Sequence, residues 1–221
     1  MIVLLCMPLT LIKNKALIYF MNISCEGHKS METIRKIQLD ELKDIYEHIV
    51  RDFAEGEYPP YNKLYEHLEN NIQTGWMLVK DGRDAAYAIC AEGADGYVLI
   101  SFFAVFKENR GKGVGTLFLE NLKEIYSDSK GIIVEIEKSE EALHEEEIFV
   151  RERRLEFYTR AGFRLIPGIQ YVIWDVPMHI LALTCETDLE TINKDIGRIM
   201  YEIYLLLLGK SNIHKMEFRR I

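Results

Sequence analysis

Arg110-Gly111-Lys112-Gly113-Val114-Gly115 gathers two cations and three glycines between an apolar run and a helical pattern. Glycines lack a Cβ, so backbone amides can close around an anion. A helix starting in the loop adds unpaired N–H donors and the positive end of its dipole. Phosphate binding is therefore the chemistry this spacing allows, and a tight turn with solvated basic residues is the plainer alternative. Two familiar phosphate loops fail on spacing. A Walker A loop needs Gly, four residues, then Gly-Lys-Ser/Thr, but five residues after Gly111 stands Thr116. A dinucleotide loop needs Gly-x-Gly-x-x-Gly, whose last place falls on Thr116 counted from Gly111 and on Phe118 counted from Gly113.

The elements around this loop can be read from periodicity. Tyr97–Phe106 is nearly continuously apolar, as a central strand buried on both faces should be. After the loop, Phe118, Leu119, Leu122 and Ile125 recur at helical spacing. Upstream, Thr33–Gln38 reads as a strand, and Asp40 as the cap of a helix reaching Phe53. Pro59-Pro60 opens a second helix over Tyr61–Asn71. Trp76–Val79 and Ala85–Cys90 form a hairpin about Asp81-Gly82, and Asp95-Gly96 turns into the central strand. Downstream, Gly131–Glu137 is a strand. An acidic stretch from Glu137 to Glu147 leads to a helix ending at Ala161-Gly162, then strands at Arg164–Ile166 and Tyr171–Val176. Hairpins interrupt any strand–helix–strand alternation, so the expectation is a mixed α/β sheet, not a doubly wound one.

The chain has 221 residues, with 27 Lys and Arg against 35 Asp and Glu. Its net charge of −8 argues against non-specific nucleic-acid binding and favours cationic partners. The 4 cysteines show neither a CxxC pair nor metal-ligand spacing with histidine, so neither a disulfide framework nor a metal site is expected, and a cytoplasmic location fits. Residues 1–30 form a hydrophobic leader whose three lysines and Glu26 give +2, leaving −10 for the rest. Its uncharged runs fall short of the ~20 residues of a membrane span, and no cleavage site follows. The leader is read as lying outside the domain, with Met31 as the alternative start. At the other end, residues 184–221 form a C-terminal helical extension. Thr187 and Glu190 match a capping box, and Leu189, Ile192, Ile196, Ile199, Ile203 and Leu207 form the stripe of one amphipathic helix stopped by Gly209. That stripe packs on the domain or serves a partner, a homodimer being one such use.

Arg110, Gly113 and Gly115 also fit the pattern Gln/Arg-x-x-Gly-x-Gly/Ala that follows a hydrophobic strand. Arg154-Leu155-Glu156-Phe157-Tyr158-Thr159-Arg160-Ala161-Gly162-Phe163 supplies a second block, similar to Phe-Tyr-x-x-x-Gly-Phe. With both blocks in order, the stretch from about Thr33 to Met178 resembles the GNAT superfamily, the Gcn5-related N-acetyltransferases, and residues 31–183 are expected to form that domain. The resemblance implies a mostly antiparallel sheet flanked by helices, to which the C-terminal amphipathic helix is an addition.

It also implies roles. A bulge would splay the central strand from its neighbour, and the amides of Phe103, Ala104 and Val105 would hold the pantetheine arm of acetyl-CoA and polarise the thioester. The pyrophosphate would rest on the amides of Arg110–Gly115. Tyr158 would protonate the departing thiolate, against the alternative of a tyrosine packed on the sheet. Glu137 is the candidate general base, with Glu135 on its face and Glu108 as an outside choice. The stretch from Glu137 to Tyr158 is longer than usual for the family, and its glutamates would give a carboxylate rim that attracts a cationic amine, or merely solvate a loop. The expected activity is direct acetyl transfer from acetyl-CoA to an amine-bearing small molecule or peptide, without metal, nucleic acid or membrane span. The rivals are a non-catalytic acyl-CoA sensor and an interaction module built on the C-terminal helix.

Overall fold

The structure, a computed structural model, describes residues 19–20, 31–93, 95–184 and 189–221. The leader lies almost wholly outside these residues, as does Thr187 of the capping box; of the leader, only the short strand β1 (Tyr19–Phe20) is described, paired with β2 (Glu32–Lys36). Helices α1 (Leu42–Asp52) and α2 (Tyr61–Glu69) follow, then strands β3 (Gln73–Lys80), β4 (Arg83–Glu92) and β5 (Tyr97–Val105). Helix α3 (Val114–Ile125) leads to β6 (Gly131–Glu137), and helix α4 (Glu145–Arg160) to β7 (Arg164–Leu165), β8 (Ile169–Ile173) and β9 (Val176–Leu183). Helix α5 (Leu189–Leu208) and β10 (Met216–Arg220) complete the chain.

The strands lie in the order β1-β2-β3-β4-β5-β6-β9-β8-β10, with β7 beside β9. Among the described residues only β5 and β6 pair in parallel. The two-residue period sends alternate side chains to opposite faces. On β6, Ile132, Val134 and Ile136 pack against the α3 and α4 side, whereas Ile133 packs under α5. Helices α1 and α2 cover the same face as α5, over Tyr87, Ile89 and Phe102. The mixed α/β sheet expected from the sequence is therefore sandwiched between two helical layers. The apolar stripe of α5 is spent on this chain: Ile192, Ile196, Ile199, Met200 and Ile203 are at most 2% exposed.

Three local expectations differ. Asp40 does not cap α1: the N-cap is Glu41, whose carboxylate instead accepts the Gln38 N–H at 2.6 Å and pairs with Arg35. The strand expected over Tyr171–Val176 is broken by a hairpin turn at Trp174 and Asp175, which have φ of 55° and 63°. No glycine marks this turn, and so the pattern concealed it. Beyond Gly209, the short and highly charged β10 pairs with β8 and clamps α5, with Arg220 donating to the Lys194 carbonyl at 2.9 Å.

Candidate active site

The parallel ladder of β5 and β6 ends at Ile100 and Val134, although β5 continues to Val105 and β6 to Glu137. The two strands therefore part. The β4–β5 register places the cause at Ser101: Ile89 pairs with Phe102 and Cys90 with Ile100, so Ser101 is an extra residue. This bulge reverses the alternation. Ile100 faces α3, yet Phe102, two residues on, faces α1 and α2.

Beyond the bulge the edge of β5 is open towards β6. The Phe106 N–H donates to the Ala85 carbonyl on β4 at 3.0 Å. By the two-residue period Ala104 also turns its amide to β4, while Phe103 and Val105 turn theirs to the gap. Of the three amides expected to hold a ligand, those of Phe103 and Val105 lie on the open edge, whereas that of Ala104 belongs to the β4 ladder.

The glycine-rich loop closes one end of this gap. Gly113 is the N-cap of α3, with φ of 76°. The first intrahelical bond runs from the Leu117 N–H to the Gly113 carbonyl at 3.1 Å, so the helix leaves the amides of Val114, Gly115 and Thr116 unpaired. A Cβ on Gly111 or Gly113 would meet no atom within 4 Å, so open space lies over the cradle. Arg110 plays a more structural part than expected: its amide donates to Lys107, its Nε to the Val105 carbonyl at 2.8 Å, and its Nη2 pairs with Asp52 at 3.3 Å. Lys112 is exposed and forms no ion pair among the described residues.

Loop and splay border an open cleft, walled by Phe103 and Val105 on β5 and by Phe157 and Tyr158 on α4. Tyr158 is 7% exposed and packs edge-on against Phe157 and Phe163, with its hydroxyl unpartnered among the described residues. Burial raises its pKa to about 12, with Arg154 opposing the rise, so the phenol keeps its proton. Arg110, Arg153, Arg154 and Arg160 also line the cleft. The signal for the last three in the sequence is their place along one helical segment, next to the more conspicuous glutamates.

The expected base fares differently. Glu137 is held by the guanidiniums of Arg154 and Arg151, the latter at 3.8 Å, so its lone pairs are engaged in tying β6 to α4. Glu135 is not on an open rim: Tyr171 and Tyr204 both donate to its carboxylate. Glu145, Glu146 and Glu147 form the first turn of α4, where Glu147 accepts the Leu143 N–H at 3.3 Å and faces Arg151. Acidic side chains are favoured at a helix N-terminus by its dipole. His179 lies 3.2 Å from Glu140.

This geometry suits a long anion carrying an acyl group: amide donors at a helix terminus, cationic walls, and an unpaired strand edge leading to a buried hydroxyl. Comparisons with known proteins agree. A sequence model described as an acetyltransferase (GNAT) domain matches residues 71–165. A solved structure from Bacteroides thetaiotaomicron, described as an acetyltransferase of the GNAT family, superposes with a TM-score of 0.59 at 23% identity, covering 76% of this chain and 98% of its own. The ribosomal-protein-S18-alanine N-acetyltransferase of Escherichia coli gives 0.52 at 21%, covering 69% and 93%. Spermidine N-acetyltransferase of Vibrio cholerae, in complex with CoA and spermine, gives 0.53 at 13%, covering 69% and 94%. A search of curated proteins returned no match. The sequence model lies over the splay, the phosphate loop and α4, so residues 71–165 match an acetyltransferase (GNAT) domain, and the chain shares the fold of these structures.

Proposed function

We propose that this chain is an acetyl-CoA-dependent N-acetyltransferase that uses the cleft between β5, β6 and α4. Bound acetyl-CoA supplies an acetyl thioester that an amine can take directly. The reading rests on one observation: the amide cradle of α3, the unpaired edge of β5 and the Tyr158 hydroxyl all border the same cleft. The amides of Val114, Gly115 and Thr116, with the left-handed Gly111 and Gly113, hold phosphate oxygens. Arg153 and Arg160 add cationic charge along the wall. The Phe103 and Val105 N–H groups are donors for a carbonyl oxygen that gains charge in the transition state. Tyr158 holds its proton at neutral pH and gives it to the leaving sulfur.

Glu137 keeps α4 on the strand that splays through its pairs with Arg151 and Arg154. The amine loses its proton to water or to a group on the opposite face of the sheet. The test is a thermal-shift titration with acetyl-CoA, followed by assay of thiol release over a panel of amines. Ligand-dependent stabilisation together with amine-dependent release supports the reading. Stabilisation without release for any amine would favour a sensor.

A further inference from the structure

Behind the splay, on the face covered by α1, α2 and α5, lies a second pocket. Ser101 and Phe102 line it, while Phe103 and Val105, next along the same strand, line the cleft. The two openings thus approach one stretch of β5 from opposite faces, at the bulge. The pocket is built from parts distant in sequence, and its polar side is an ordered chain. The Ser101 hydroxyl accepts from Gln73 Nε2 at 3.1 Å, and Gln73 Oε1 lies 2.9 Å from His67 Nδ1. Since the Gln73 amide nitrogen is committed to Ser101, its oxygen must accept, which puts the His67 proton on Nδ1. His67 Nε2 is then an acceptor, and it is buried without a partner in a side chain 2% exposed. Ser101 keeps its own proton to donate.

At the pocket's mouth stands Glu57, whose pKa burial raises. An ammonium group bound there would relieve that desolvation. The remaining wall is mostly apolar, Pro59, Phe102, Trp174, Leu207 and Leu208, with Tyr204 beside them, its hydroxyl already donated to Glu135. Trp174 reaches it from a hairpin position with φ of 55°, a backbone conformation costly for a bulky residue. The last two turns of α5 close the far side. The C-terminal extension is therefore part of the pocket as well as a cover for the sheet.

We propose that this pocket receives the acceptor, and that its closure by Trp174 and α5 selects a small primary amine with a single cationic group and an apolar, flat or branched body, rather than a polyamine or a peptide terminus. The proposal builds on the acetyl-transfer reading and adds the acceptor class. One carboxylate answers one ammonium, and a wall of apolar side chains with the Tyr204 hydroxyl already committed to Glu135 gives no partner to a second charge, which would have to be desolvated unpaired. Ser101 and the His67–Gln73 pair position the nitrogen at the bulge.

The test is calorimetric titration of the full chain, with CoA present, using 2-phenylethylamine and, for comparison, spermidine. The expected result is that 2-phenylethylamine binds about tenfold or more tightly than spermidine. Trp174→Gly relieves the backbone while removing the ring, and Leu208→Trp fills the pocket from α5. Each should weaken 2-phenylethylamine about tenfold, with CoA affinity and melting temperature close to wild type. Tighter binding of spermidine, no binding of 2-phenylethylamine, or unchanged affinity in both variants would overturn the proposal. Binding as expected without acetylated product would refute the acetyl-transfer reading and leave the pocket assigned. Acetylation of spermidine without binding of 2-phenylethylamine would do the reverse.

Discussion

Tyr204 of α5 donates its hydroxyl to Glu135 at 2.6 Å, and so the C-terminal helix is fastened to the first residue of β6 beyond its last pair with β5. Tyr171 of β8 donates to the other carboxylate oxygen. One enclosed carboxylate thus joins the splaying strand, the distal sheet and the added helix.

This joint should be sensitive to pH. Burial raises the Glu135 pKa, an effect the two tyrosine donors only partly offset. The native state therefore holds this proton more tightly than the unfolded chain. The stability involved is fully present below the ordinary carboxylate pKa and is lost as pH rises through the native one. Tyr204→Phe removes a donor and raises that pKa further. It should cost about 1–3 kcal/mol near neutral pH and less near about pH 4. Denaturant unfolding at the two pH values checks this, and an equal cost at both would contradict it.

The phosphate cradle predicts a different outcome for Gly113. A side chain there has room but must adopt φ of 76°, which costs about 1–2 kcal/mol for a residue with a Cβ. Gly113→Ala should lower stability by that amount. Gly113→Glu adds a carboxylate where an anion belongs and should abolish the thermal shift with CoA. An undiminished shift in the Glu variant would remove the loop from the site.

Tyr158→Phe separates packing from chemistry. The ring and its contacts with Phe157 and Phe163 remain, so CoA affinity should stay unchanged. Loss of a general acid should lower kcat by about 10²–10⁴-fold. In the wild type, Tyr158 should impose no alkaline limb on the kcat–pH profile below its pKa of about 12. Wild-type turnover in the variant would return Tyr158 to the core.

Gly197 tests how α5 docks. A Cβ there would lie 2.5 Å from the Phe218 ring of β10, so the ring must move. Gly197→Ala should destabilise by about 1–3 kcal/mol through overpacking, despite the better helix propensity of alanine. In a Phe218→Ala background the same change should be neutral or stabilising. Thermal unfolding of the two single variants and the double variant gives the coupling, and purely additive effects would deny the contact.

Much of this was legible because it is local. The glycine-rich loop, the buried strand before it and the Phe157-Tyr158 block carry their chemistry within a few residues. The bulge at Ser101 left no local mark, since it appears only when β4 sets the register. The second pocket was equally hidden: Glu57, His67, Gln73, Ser101, Trp174 and Tyr204 meet through the sheet and not through spacing. The tie of Glu137 to α4 is also non-local, since sequence cannot show that the helix returns two arginines to it. The turn at Trp174 and Asp175 lacked the glycine or asparagine that usually marks left-handed backbone.

The central claim is acetyl transfer from the cleft between β5 and β6. It is tested most directly by incubating the full chain with acetyl-CoA and a primary amine, then measuring free thiol and acetylated amine together. The account predicts equal amounts of both products, formed by the wild type, reduced about 10²–10⁴-fold in Tyr158→Phe and absent in Gly113→Glu. Saturable CoA binding with neither product, across amines of every class, would contradict it.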